Sequence, residues 1–387
     1  MKANYTLTRI WGIPIRINIS LIVFLPILAW LIGSGEQIAL YADVINALTP
    51  AAVDPANLDG PNERWVVGII AAVGLFASVT FHELGHSWVA MRYDIGVESI
   101  TLWILGGLAS LERMPEEWNR EFWIAVAGPA SSLLLAGICI GALYLVPSSL
   151  TLVVFMLGFL AVMNIVLAVF NMLPAFPMDG GRVLRALLAR SRPYAEATQT
   201  AAAVGKLMAV LMAVFAVLAF APLLLLIAMF VYVAAGAESR TTVVRELLKD
   251  MTARELMSTE IRTVTPETTV AEFLDRVLTE RTTAYPVMDR GTVTGVVTLD
   301  SVRKVPEKER ESTTVADVMG AAPASVSPDS DAFGALMAMS TARGERVLVV
   351  EDGRFVGQIT ASDFMTALEV MQGLGPRREV ELPDGYA

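Results

Sequence analysis

The chain has 387 residues, 55% of them hydrophobic and 18% charged, with a mean hydropathy of +0.57; soluble domains carry about a quarter charged residues. These values exclude an ordinary soluble enzyme and describe a membrane protein whose apolar runs fill the chain to about residue 236, after which charge and turn residues return. The formal net charge of −10 divides into −2 through residue 240 and −8 after it, so the acidic second part disfavours nucleic acid and anionic lipid as its partners.

In chain order, "MKANYTLTRIWGIPIRIN" places Lys2, Arg9 and Arg16 ahead of the first apolar run without a cleavage site, so that run reads as a first transmembrane helix over about 17–33. Further spans are expected at 65–91, 120–146, 151–173, 201–219 and 221–236. The fold class is therefore a polytopic α-helical membrane domain of about six transmembrane helices over 1–240, followed by an α/β domain over 241–387. Basic residues before the first span and at Arg182, Arg185, Arg190 and Arg192, against an acidic loop over 34–63, orient the chain in the cell membrane. The N-terminus and the C-terminal domain are both expected in the cytoplasm. The single cysteine, Cys139, rules out a disulfide framework within the chain.

The second span carries "FHELGHSWVA", with His82 and His86 the only histidines in the chain. Residues i and i+4 share one helix face, so both imidazoles can reach one cation while Glu83 stands beside them to hold a water. This is the H-E-x-x-H zinc motif, and ionisable groups inside an apolar span mark function. A catalytic zinc keeps three protein ligands, and no third histidine exists. The conspicuous remaining carboxylate is Asp179 in "FNMLPAFPMDGGRVLRALLAR", expected at the depth of the two histidines; capping the helix that follows is its alternative role. Asn164 and Asn171, seven apart, share a face of the fourth span, either bonding a neighbouring helix or holding an extended substrate and its developing oxyanion. Between the second and third spans, "GVESITLWILGGLASLERMPEE" is broken by Gly106-Gly107 and reads as a re-entrant hairpin or an interfacial loop. As a hairpin it presents a strand edge on which an unwound substrate could pair.

Past residue 250 the chain repeats. Met257 and Met319, Pro266 and Pro328, Gly291 and Gly353, Gly295 and Gly357, and Thr298 and Thr360 all align at an offset of 62. The copies cover about 250–306 and 312–370, each with two strands around a glycine turn and a final helix.

With these residues in hand, the membrane part resembles the site-2 protease family of intramembrane zinc metalloproteases. The matching stretches are "FHELGHSWVA", "AGPASSLLLA" and "NIVLAVFNMLPAFPMDGGRVLRALL". The resemblance implies one zinc on His82, His86 and Asp179, Glu83 as catalytic base, Asn164 as the asparagine near the active site, and a membrane-protein substrate with a transmembrane segment. Asn18 stands where relatives often have histidine, and Ser132 where they often have asparagine; both are expected to affect packing rather than chemistry. The repeats resemble a tandem of cystathionine-beta-synthase (CBS) modules, a Bateman domain. That resemblance implies an adenosine nucleotide at Thr360 and Asp363, with Ser301 in place of the acidic residue at a second site, or use of the pair for homodimerisation alone. Rival functions are a CBS-regulated metal or ion transporter and a protein that captures membrane helices without cutting them. Ionisable groups gathered at one depth and an intact H-E-x-x-H favour the protease.

Overall fold

The computed structural model describes residues 4–374 except Leu105, Arg113, Met114, Glu116, Glu260, Ile261, Arg281 and 342–345. The chain divides into two compact units, Met1–Arg240 and Thr241–Ala387.

The first unit opens with a hairpin of β1 (Asn4–Ile10) and β2 (Ile13–Asn18). Trp11 and Gly12 both have positive φ, 52° and 83°, as in the two-residue turns whose twist suits a hairpin. β2 pairs in parallel with β3 (Val97–Trp103), which turns back antiparallel into β4 (Gly106–Leu111), giving the order β1-β2-β3-β4. The Gly106-Gly107 segment is thus the outer strand of a sheet, and its backbone groups on one side are satisfied by β3. The N-terminal strands are absent from the sequence reading because β1 is exposed almost throughout and offers no apolar stripe.

The first expected span is also altered. α1 (Ile19–Ile32) has only 14 residues, and after a 73° bend α2 (Gly35–Leu48) occupies part of what reads as an acidic loop. Asn18 caps α1 by accepting the Ser20 N–H at 2.9 Å and ties back to Asn4 Oδ1 at 2.6 Å, a local role for the residue that departs from the family pattern. α3 (Pro61–Arg92) follows, then α4 (Trp118–Leu143), α5 (Thr151–Asn171), the short α6 (Asp179–Ala189), α7 (Tyr194–Leu218) and α8 (Pro222–Leu248). Among the described residues five helices are long and apolar enough to cross a membrane, six if α1 and α2 form one broken span. α8 exceeds its expected end at 236 because Glu238, Arg240 and Glu246 are good helix formers despite their charge. Phe155 and Phe159 of α5, Ile38 and Ile45 of α2 and Ala71 of α3 form the main buried core.

The second unit holds two three-stranded sheets. β5 (Ala284–Asp289) and β6 (Thr292–Thr298) form the hairpin of the first copy, with β7 (Gly320–Ala321) added to β6; β9 (Arg346–Glu351) and β10 (Arg354–Thr360) form that of the second, with β8 (Ser325–Val326) added to β9. Both hairpins turn on a positive-φ pair, Arg290-Gly291 and Asp352-Gly353. The copies exchange edges: Gly320 of the second pairs with Val296 of the first, and Ser258 of the first bridges Gln358 of the second. This explains two of the aligned pairs. A Cβ on Gly357 would stand 2.9 Å from Met257 Cγ, and one on Gly295 2.8 Å from Met319 Sδ, so each copy's glycine receives the other's methionine.

Candidate metal centre

α3 presents His82, Glu83 and His86 on adjacent positions of one helix, and α6 presents Asp179 as its first residue. The chain reaches Asp179 through a compact turn after α5. A Cβ on Gly181 would stand 2.7 Å from the Ala175 carbonyl carbon, and one on Gly180 would collide with the Met172 and Leu173 carbonyls. Those two glycines let the turn fold back on α6. Met178 occupies the position before the helix and makes no side-chain cap, so the Asp179 carboxylate faces the histidines instead of capping α6.

The three groups meet in the interior. Asp179 Oδ2 lies 3.1 Å from His82 Nε2 and 3.2 Å from His86 Nε2, and the two Nε2 atoms are 3.2 Å apart. All three residues are buried. The far side of each ring is also held. His86 Nδ1 donates to the Ile124 carbonyl at 2.6 Å, which assigns its tautomer and turns the Nε2 lone pair inward; His82 Nδ1 lies 2.9 Å from Ser132 Oγ. With Nδ1 of His82 donating likewise, two imidazole lone pairs and a carboxylate converge with no proton between them. A cation relieves that repulsion, and the nitrogen-and-oxygen donor set suits zinc with a position left open. α4 approaches this cluster without a side chain: a Cβ on Gly128 would lie 2.7 Å from His82 Nε2 and closer still to His86 Nε2.

The cluster forms one wall of a cavity of about 170 Å³, which Glu83, Gly106, Gly107, Asn171 and Arg182 also line. Glu83 Oε2 accepts the Ala109 N–H at 3.2 Å, so the carboxylate sits against β4. A Cβ on Gly107 would stand 2.6 Å from Glu83 Cγ, a close approach of backbone to side chain that glycine alone permits. The two asparagines separate. Asn171 lines the cavity while its amide donates to the Leu167 carbonyl at 2.9 Å. Asn164 is fully buried outside the cavity lining, donating to Ser78 Oγ at 2.9 Å and the Leu160 carbonyl at 2.8 Å. It fastens α5 to α3, two helical turns along α5 from Asn171.

Sequence reasoning missed the supports. Ser132 was visible only as a departure from a family pattern, and backbone acceptors such as the Ile124 carbonyl leave no mark in a sequence. In the second unit Thr360 and Asp363 do meet, with the Asp363 carboxylate accepting both the Thr360 N–H and its hydroxyl at 2.7 Å. These bonds stand at the start of α9 (Ala361–Leu374) and make the reach-back half of a capping box, whereas Thr298 with Ser301 makes a complete one in the first copy.

Comparison with known proteins matches residues 70–154 and 147–215 to Peptidase family M50, and residues 253–308 and 315–370 to the CBS domain. A zinc metalloprotease of Methanocaldococcus jannaschii is 33% identical over 376 residues, which cover 96% of this chain and 98% of that one. Rip3 of Mycobacterium tuberculosis is 31% identical over 390 residues, covering 96% of this chain and 94% of its own. Among solved structures, a site-2 protease from Methanocaldococcus jannaschii is 32% identical and aligns over 61% of this chain and 95% of that chain with a TM-score of 0.41. The chain belongs to peptidase family M50, the site-2 protease family of intramembrane zinc metalloproteases, and carries a C-terminal pair of CBS domains.

Proposed function

We propose that His82, His86 and Asp179 hold one zinc ion and that Glu83 is the general base for hydrolysis of peptide bonds in or near the transmembrane segments of membrane proteins. The observation that carries this reading is the convergence of His82 Nε2, His86 Nε2 and Asp179 Oδ2 within 3.2 Å of one another, beside a carboxylate on the same cavity. When bound, zinc polarises the scissile carbonyl and brings the pKa of its water down to about 7. Glu83 takes the proton from the attacking water and delivers it to the leaving amide nitrogen. The Ala109 N–H steadies the carboxylate in position for both transfers.

A helical substrate must unwind before this site can act, since its carbonyls are bonded internally. β4 answers that requirement. Strand backbone groups alternate sides, and the Ala109 N–H points to Glu83, so Gly107 and Leu111 turn their backbone groups to the same free edge. An unwound segment pairing there recovers main-chain bonds lost on unwinding. Asn171, with an acceptor oxygen on the cavity wall, takes the substrate-positioning role.

The same reading places both termini on the cytoplasmic side of a multi-pass membrane protein, and assigns the CBS pair a regulatory adenosine nucleotide near Thr360 and Asp363. Homodimerisation through the CBS pair is the competing use, favoured by the hydrogen bonds that already join Thr360 to the Asp363 carboxylate. The test of the central proposal is zinc content of the detergent-purified full chain, wild type beside Asp179→Ala. One zinc per wild-type chain and a large loss in the variant is the expected result. Equal zinc in both would move the third ligand elsewhere, and a wild type without zinc would favour a protein that binds membrane helices without cutting them.

A further inference from the structure

We infer that Arg185 is a positioning residue for Asp179, acting through a buried ion lock with Glu121 and Glu238 that holds helix α6 in place. The inference rests on the metal-site reading above. Arg185 is 1% exposed and Glu121 4% exposed, among the described residues of the first unit the most thoroughly buried charged side chains outside the metal cluster. Arg185 Nε donates to Glu121 Oε1 at 2.7 Å, and Nη1 donates to Glu238 Oε1 at 2.6 Å. The guanidinium also lies over two rings, with its central carbon 4.9 Å from the centroid of Phe176 and 5.0 Å from that of Tyr194. One side chain of α6 is therefore clamped by α4, by α8, by the start of α7 and by the turn that leads into Asp179.

The position of this clamp is what gives it a role in the site. α6 has 11 residues, and Asp179 is the first of them. Arg185 sits six residues on, roughly 9 Å along the helix axis. Phe176, beneath the guanidinium, is three residues before Asp179. The carboxylate that faces His82 and His86 is thus bracketed on its own segment by the two contact points of one immobilised arginine. Rotation or sliding of α6 by a fraction of a turn would withdraw Asp179 Oδ2 from atoms it now approaches to 3.1 Å and 3.2 Å.

A requirement for stability alone does not explain the choice of residues. Buried ion pairs exchange well for apolar side chains of similar volume, whereas a guanidinium fixes orientation through its planar fork. The lock is also unevenly satisfied: among the described residues, Glu121 Oε2 is buried without a hydrogen-bond partner. A purely structural contact would sooner be apolar.

The experiment measures zinc release into excess chelator from the purified full chain, with the cobalt(II) absorption spectrum of the substituted site and the melting temperature of the metal-free protein recorded alongside. Glu238 is partly accessible, its side chain 33% exposed, so Glu238→Gln keeps the fold. It and Arg185→Lys, whose point-charge ammonium lacks the planar fork that fixes orientation, are expected to release zinc about tenfold faster with an altered cobalt spectrum. Glu196→Gln, the same charge change on the exposed surface of α7, is expected to match wild type. Wild-type release rates and spectra in both lock variants, with or without a lowered melting temperature, overturn the inference while leaving the metal site intact. A wild type that binds no zinc overturns the metal-site reading itself.

Discussion

Ser132 Oγ stands 2.9 Å from His82 Nδ1, on the side of the imidazole turned away from Asp179. The hydroxyl is wholly buried on α4, so its partner is fixed by packing rather than by chance encounter. Removing it frees the His82 ring and its tautomer. Ser132→Ala is expected to weaken zinc binding by about 10- to 100-fold, as loss of a ligand's supporting hydrogen bond does elsewhere. Chelator competition reads this directly, and unchanged affinity would leave Ser132 a packing residue.

Glu83 has no place among the three convergent ligand atoms, and it contacts β4 instead. Glu83→Gln keeps the size and one acceptor oxygen but cannot take a proton. It is expected to retain full zinc content and lose at least about 100-fold in cleavage of a membrane-embedded reporter, the scale of general-base contributions. Normal cleavage would remove Glu83 from the chemistry.

Two glycines permit a paired test of the same substitution. A Cβ at Gly128 points into the Nε2 atoms of His82 and His86, and one at Gly107 into Glu83. Gly128→Ala should therefore lose zinc, whereas Gly107→Ala should keep zinc and lose activity. Metal analysis and reporter cleavage on the two variants separate the effects. The reverse pattern would contradict the geometry of α4 and β4 around the cavity.

The reach of the sequence follows from the range of the forces involved. The pair His82 and His86 is legible because helical periodicity alone brings residues four apart together. Asp179, nearly a hundred positions later, was reachable through the scarcity of carboxylates in apolar spans. The repeats were legible through their anchors, although the exchange of edges that makes Met257 face Gly357 was not, because it is a contact between copies. The lock around Arg185 stayed hidden for a different reason. Arginine at the end of a span ordinarily signals topology, and only the packed structure brings Glu121 and Glu238 to it from α4 and α8. The bend between α1 and α2 was hidden in turn, since an acidic stretch reads as loop until its apolar face finds α5.

The Asp363 carboxylate carries a prediction that separates regulation from simple structure. One of its oxygens accepts both Thr360 bonds, which leaves the other for a ribose hydroxyl. Thr298 and Ser301 cap the equivalent helix in the first copy without a carboxylate. Asp363→Ala and Thr298→Ala should each cost about 1 kcal/mol of cap stability in the second unit. If ATP, ADP or AMP binds there and raises the melting temperature of the full chain, only Asp363→Ala should also abolish that rise, because Ser301 stands at the matching position of the first copy. Equal nucleotide response in both variants would move the binding site away from Thr360 and Asp363. A wild type indifferent to all three nucleotides, in melting and in cleavage rate, would leave the paired modules to dimerisation.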